Sequence, residues 1–193
     1  TISPDMPLPS TAAFIQRDLG APACCAFDLA AACSGFLFGM TVADKFIRTG
    51  QAKYALVIGA ELLSRYLDYT DRATCVIFGD GVAAGVIGPV SPPSGILAEE
   101  LHTEGAYADH LYIPAGGTAM PATCETVQTG QHFIKMRGNE LFKVAVRSME
   151  DVSRRVLEKA GVSVEEVELF IPHQANQRIT DAVQARLGIC SQK

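Results

Sequence analysis

Two side chains in this sequence could form a covalent catalytic pair, Cys33 and His173. Cys33 lies in Cys25-Ala26-Phe27-Asp28-Leu29-Ala30-Ala31-Ala32-Cys33-Ser34-Gly35-Phe36, which reads as a buried strand, a turn of small residues and then a helix. A thiol in the first turn of a helix faces unpaired N–H groups and the positive end of the dipole, which favour the nucleophilic thiolate. The same cysteine also reads as a small apolar residue packing an alanine-rich core. His173 lies in Ile171-Pro172-His173-Gln174-Ala175-Asn176, where Pro172 holds Ile171 extended and amide side chains flank the imidazole. It reads either as the group that manages charge beside a nucleophile or as a core or helix-capping histidine. His102, His110 and His132 fall among polar neighbours in the loop-rich middle and read as solvated.

The elements that must position this pair follow from periodicity. Pro4, Pro7 and Pro9 keep residues 1–10 out of a helix, and Ser10 caps a short helix to Asp18 that Gly20 ends. Phe36, Met40, Ala43 and Ile47 form one apolar face of a helix that Gly50 stops. Tyr54–Ile58 reads as a strand covered on both faces. Thr74–Phe78 and Val82–Ile87 flank Gly79-Asp80-Gly81 in the form of a hairpin. Residues 88–130 read as loop apart from a strand at Ile96–Glu100. Gly138 or Asn139 opens a long helix with Phe142, Ala145, Met149, Val152 and Val156 on its apolar face and Gly161 at its end. Ser163 and Glu166 have capping-box spacing. Val167–Ile171 reads as a strand, and a last helix runs from about Ala175 to Leu187, so that His173 stands at its start as Cys33 does in the first half. Alternating strands and helices make the class α/β, with reactive side chains where strand ends meet helix starts.

Composition narrows the classes. With 193 residues, 48% hydrophobic and 19% charged, the chain can bury a substantial core. A formal net charge of −5 argues against nucleic-acid or membrane-surface binding. No apolar run is long enough to span a bilayer. The six cysteines form no C-x-x-C pair, which excludes a zinc-type spacing and points to a reducing, cytoplasmic compartment.

Four motifs together carry a family resemblance: Ala31-Ala32-Cys33-Ser34-Gly35-Phe36, Phe78-Gly79-Asp80-Gly81, Gly138-Asn139-Glu140-Leu141-Phe142-Lys143 and Pro172-His173-Gln174-Ala175-Asn176. In that order they resemble the β-ketoacyl-acyl carrier protein synthase III enzymes. The resemblance implies a thiolase-like layered α/β/α/β/α fold, here incomplete at both ends. It divides the chain into residues 1–90 of a half carrying the nucleophile, a connection at 91–130, and residues 131–193 opening a half that carries the histidine.

It also implies a decarboxylative Claisen condensation of an acyl-CoA primer such as acetyl-CoA with malonyl-acyl carrier protein, initiating fatty-acid synthesis in a homodimer. Cys33 and His173 become catalytic, with Arg72, Asn139, Asn176, Met136 and Phe142 contacting the coenzyme A substrate. Leu8 stands where relatives often carry Phe, in a loop that reaches a neighbouring subunit's acyl pocket. Gln174, Ala175, Asn176, Gln177 and Arg178 meet acyl carrier protein, and residues 131–160, with seven Lys/Arg against four Asp/Glu, offer that acidic partner a basic surface. No metal or cofactor is implied beyond the thioester carriers themselves. The alternatives are a condensing enzyme of secondary metabolism and a non-catalytic assembly module of the same fold.

Overall fold

The computed structural model describes residues 1–190 and divides into two compact units. The first comprises Thr1–Leu63 and Gly79–Ile96; the second comprises Ser64–Phe78 and the chain from Leu97 onward.

The first unit is built on two helices and a two-stranded antiparallel sheet. α1 (Thr11–Asp18) begins at Ser10, whose hydroxyl accepts the Ala13 N–H, as the capping pattern predicts. α2 (Gly35–Arg48) follows a 3₁₀ turn at Ala32–Ser34. β1 (Ala55–Leu62) pairs with β2 (Asp80–Ile87) in the register Val57↔Gly85 and Gly59↔Ala83. Phe36 of α2 lies against the sheet, its ring 3.5 Å from where a Cβ on Gly59 would sit and 3.7 Å from one on Gly85. Gly39 brings the helix closer still, because a Cβ there would come 2.9 Å from Val57 Cγ1. Glycines on facing elements therefore let α2 settle onto one face of the sheet. The opposite face, with Leu56, Val82 and Val86, is exposed. The expectation that Tyr54–Ile58 is covered on both sides is corrected to one side, and the strand runs on through Gly59 to Leu62.

Four other expected strands are absent from the described residues, Val167–Ile171 of the second unit among them. The segment leading to Cys33 pairs with no strand and mixes half-buried and exposed residues. It is held by the Thr1 nitrogen donating to the Leu29 carbonyl and by the Asp28 carboxylate receiving the N–H groups of Thr11 and Ala12. Residues 74–78 do not form a hairpin with β2. Asp71 Oδ1 accepts the Ala73 N–H and the Asp71 carbonyl accepts those of Thr74 and Cys75, so local side-chain capture curls the chain into turns. Ile96–Glu100 is likewise irregular, its end tied to the long helix where Lys159 donates to the Glu99 carbonyl.

In the second unit β3 (Leu111–Tyr112) pairs with β4 (Lys135–Met136), on either side of α3 (Cys124–Gln128). α3 carries a Thr123/Thr126 capping box inside the stretch expected to be loop. α4 (Gly138–Ala160) stops at Gly161, whose φ of +67° suits glycine. Ser163 and Glu166 form the expected capping box. α5 (Gln177–Leu187) packs on α4 around Val146, Val183, Leu187 and Ile189, with Phe142, Met149 and Phe170 against them. The buried residue of α4 is thus Val146, one position on from Ala145 in the anticipated stripe. Val167–Ile171 is extended without a strand partner.

No helix among the described residues is long and apolar enough to cross a membrane.

Candidate active site

Cys33 sits in the middle of the 3₁₀ turn that opens α2, a free and exposed thiol. The residue before it, Ala32, has φ +45°, a left-handed conformation that costs an L-residue about 1–2 kcal/mol. That turn redirects the extended 25–31 segment into the helix and places the thiol at the bend. Alanine is the smallest side chain that carries the conformation, which accounts for the run of small residues there.

The thiol's electrostatics depart from the expectation drawn from the helix terminus. Burial pushes the Cys33 thiol up from its ordinary value; the backbone N–H of Cys33 itself pulls it down, and Glu61 on β1 pushes it up again. Although the residue is exposed as a whole, its sulfur lies against enough of the protein for desolvation to outweigh the helix end. The resting state that this environment favours for Cys33 is the thiol.

Leu8 belongs to the same unit. It stands in the loop between Ser3 and Ser10 with its side chain 84% exposed.

The second unit holds the remaining candidates. His173 is exposed and lies three residues before the N-cap of α5, not at the helix start as expected. Asn176 is that cap: its Oδ1 accepts the Arg178 N–H at 2.9 Å, leaving its NH₂ to donate elsewhere. Gln174 and Gln177 line a cleft of about 310 Å³ with Phe170, Pro172 and Thr180. Arg178 places its guanidinium 5.7 Å from the centre of the Phe142 ring, so the charged member of the segment rests on the face of the anticipated wall residue. Met136 ends β4, with its Cε 3.6 Å from a Cβ position on Gly138, and Asn139 is exposed in the first turn of α4. Ala175 is half-buried.

Arg72 is exposed on a turn fixed by carboxylates. Thr70 donates both its N–H and its hydroxyl to Asp68 Oδ1, at 2.9 and 2.6 Å, and these bonds hold the Asp68 carboxyl below the usual range.

Most of the basic residues at 131–160 are spent locally. Arg154 pairs with Glu150, Arg155 with Asp151 and Glu100, Lys159 with Glu100, and Arg137 with Asp109. Arg147 donates to the Tyr107 hydroxyl. Lys135 and Lys143 of that stretch, and Arg178 beyond it, enter none of these pairs, which narrows the broad basic surface to three side chains. Two carboxylates passed unnoticed in the sequence: Glu61, which bears on the thiol, and Asp28, which anchors the start of α1. Their bonds to backbone amides of residues distant in the chain leave no periodic signal.

Two sequence models describe adjoining parts of one family: 3-oxoacyl-[acyl-carrier-protein] synthase III over residues 27–105 and its C-terminal part over residues 157–193. The chain is 50% identical to beta-ketoacyl-[acyl-carrier-protein] synthase III of Natranaerobius thermophilus, with 100% of this chain and 60% of the relative covered. It is also 50% identical to the synthase of that name from Symbiobacterium thermophilum, covering 100% of the chain and 58% of the relative. Among solved structures, 3-oxoacyl-[acyl-carrier-protein] synthase III of Aquifex aeolicus VF5 matches with a TM-score of 0.86 at 48% identity, over 98% of this chain and 57% of that one. The priming β-ketosynthase of the R1128 polyketide pathway matches at 29% identity with a TM-score of 0.82, over 98% and 55%. The chain therefore spans about three-fifths of the length of the relatives it matches. The thiolase-like α/β fold is shared with these structures. With both models of the family on it and half of its residues shared with the synthases along its whole length, the chain belongs to the 3-oxoacyl-[acyl-carrier-protein] synthase III family.

Proposed function

We propose that this chain carries the nucleophile and the histidine of an acyltransferase that starts fatty-acid chains by decarboxylative Claisen condensation. The observation that carries the reading is the free thiol of Cys33 at a left-handed bend into α2, in a chain half identical to named synthases. In the first half-reaction the Cys33 sulfur gives up its proton and attacks the carbonyl carbon of a primer acyl-CoA. The C–S bond to coenzyme A breaks, coenzyme A leaves as the free thiol after taking up that proton, and an acyl thioester forms on Cys33. In the second, malonyl-acyl carrier protein loses CO₂. His173 donates to the thioester oxygen where the enolate charge gathers, and the carbanion attacks the acyl carbon and expels the Cys33 thiolate. The product is a β-ketoacyl thioester on the carrier.

Arg72, Asn139, Asn176, Met136 and Phe142 take the nucleotide and pantetheine of the substrates in this reading. Gln174, Ala175, Asn176, Gln177 and Arg178 meet the acidic carrier protein, and Leu8 shapes the end of the acyl pocket in a homodimer. The reaction takes place in the cytoplasm and uses no cofactor beyond coenzyme A and phosphopantetheine as carriers.

Intact-mass measurement after incubation with acetyl-CoA tests the first half. An acetyl adduct that is lost in Cys33→Ala is expected, and its absence with every acyl-CoA overturns the reading. Release of CO₂ from malonyl-acyl carrier protein, abolished in His173→Ala, tests the second half. A priming role in polyketide assembly is the second reading, favoured by the R1128 likeness but ranked lower by identity, 29% against 50%. Preference for a primer longer than acetyl would promote it. Absence of both adduct and CO₂ release would leave the non-catalytic assembly module.

A further inference from the structure

The loop that carries Leu8 is gripped at both ends by carboxylates from elsewhere in its unit. On its near side, Glu61 at the end of β1 accepts the Ile2 N–H through Oε1 at 2.9 Å and Oε2 at 3.2 Å, and the Ser3 hydroxyl through Oε2 at 2.7 Å. The Ser3 Oγ in turn accepts the Leu62 N–H at 2.7 Å. On its far side, Asp28 accepts the Thr11 N–H through Oδ2 and the Ala12 N–H through Oδ1, each at 2.9 Å. These are charge-assisted bonds to backbone amides, the stronger class. They fix Ser3 and Thr11, and with them the path of the loop between.

Asp28 is spent wholly on backbone donors, while Glu61 Oε1 also lies 4.0 Å from the Thr1 nitrogen. Each satisfies backbone donors, and each sits on a segment that bears on the nucleophile. Asp28 is five residues before Cys33 on the same extended strip, and Glu61 lies within electrostatic reach of the thiol. Between the two anchors Met6 and Leu8 are exposed, so the loop presents apolar side chains outward from a rigid base.

We propose that Asp28 and Glu61 are positioning residues, a two-carboxylate clamp that fixes the path of the Leu8 loop on its own unit and thereby sets primer selectivity in the acyl pocket that the loop closes in the homodimer. The selectivity part rests on the condensing-enzyme reading; the clamp itself does not. Either carboxylate shifting would move the loop without touching the sulfur.

The test uses the full chain with Asp28→Asn and, at the other end, Ser3→Ala, which loosens the grip while keeping the charge of Glu61. Asp18→Asn, at the far end of α1, controls for lost charge. Amide exchange is expected to speed up about tenfold at Thr11 and Ala12 in Asp28→Asn, and at Ile2 in Ser3→Ala, with Asp18→Asn at the wild-type rate. Adduct formation on Cys33 with acetyl-, butyryl- and hexanoyl-CoA gives a selectivity ratio, and alkylation of Cys33 by iodoacetamide, which needs no primer, gives the reference. General unfolding lowers all adducts and alkylation together, whereas a displaced loop changes the ratio of short to long primers by several-fold. Unchanged exchange at the three amides overturns the clamp, and faster exchange with an unchanged ratio overturns its role in selectivity. A wild-type chain that forms no adduct at all sinks the condensing-enzyme reading and with it the selectivity role, and the clamp then stands or falls on the exchange rates.

Discussion

Asn176 caps α5 and, in the proposed function, also meets the substrate, two jobs that a pair of substitutions separates. Its Oδ1 caps α5 through the Arg178 N–H, while its NH₂ remains to donate to a substrate. Removing the cap frees the first turn, the one that carries Gln177 and Arg178. The rest of the helix stays pinned, because Val183 is 0% exposed and Leu187 packs beside it. Truncating an Asn cap to Ala costs about 1 kcal/mol. For a chain of this length that lowers the melting temperature by about 2–4 °C. Asp in place of Asn keeps the acceptor and adds a negative charge at the helix N-terminus, worth about 0.3–1 kcal/mol in the stabilising direction. The expected order of stability is Asn176→Ala below wild type, with Asn176→Asp level or above.

Activity is expected in a different order, because Asp at neutral pH has no N–H to offer. Because the proposed partner of that amide is the pantetheine arm, Asn176→Asp slows CO₂ release from sub-saturating malonyl-acyl carrier protein by about tenfold while melting no lower than wild type. Scanning calorimetry, amide exchange at Arg178 and CO₂ release read the three quantities separately. An Asn176→Asp protein that melts as low as Asn176→Ala refutes the capping argument. One that releases CO₂ at the wild-type rate refutes the donor.

Three further outcomes follow from packing and charge. Gly39→Ala brings a methyl to 2.9 Å from Val57 Cγ1 and is expected to cost about 1–3 kcal/mol; combined with Val57→Ala the two losses should be less than additive in urea midpoints. Site-resolved alkylation of Cys33 should climb with pH beyond the ordinary thiol value of 9.0, and Glu61→Gln should speed it at fixed pH. Because the folded protein favours the protonated thiol, the associated stability is whole below that value and declines as pH rises through the raised one. Glu150 is held low, first by its hydrogen bond from Arg186 and then by Arg154, so its tether between α4 and α5 is present above the ordinary value of 4.5. That tether is lost as pH falls through the lowered one, where amide exchange in α5 should become the same in wild type and Glu150→Gln.

The helices were legible because their signals are local. Ser10, Gly50, Gly161 and the Ser163/Glu166 box each act within one turn of the residue they mark, and each is found where its type predicts. The strands were less legible, because an apolar run specifies an extended strip but not its partner. Residues 25–31 and 167–171 are extended without a ladder, and 74–78 obey the nearby Asp71 instead of a distant strand. The site divides in the same way. Cys33 could be read from its neighbours, whereas the Asn176 cap fell inside a helix expected from about Ala175, and Glu61, some thirty residues from the sulfur, left no signal.

The charge state of Cys33 shows why a motif alone misjudges its own chemistry. A helix end contributes about 0.3–1 kcal/mol toward the thiolate at an exposed position, and the opening turn here is a three-residue 3₁₀ segment. Desolvation can move a buried thiol by several times that, and it is the largest influence on this one. Reading the helix start without the surrounding surface therefore predicts the wrong sign. A thiol with a raised pKa also makes the more nucleophilic thiolate once its proton is gone, so retaining the proton at rest trades population for reactivity. In the proposed condensation the same feature makes Cys33 the poorer leaving group when the enolate expels it. Whatever donors face the acyl carbonyl must therefore stabilise the tetrahedral oxyanion in both directions, and that demand falls on oriented N–H groups such as those at the start of α2.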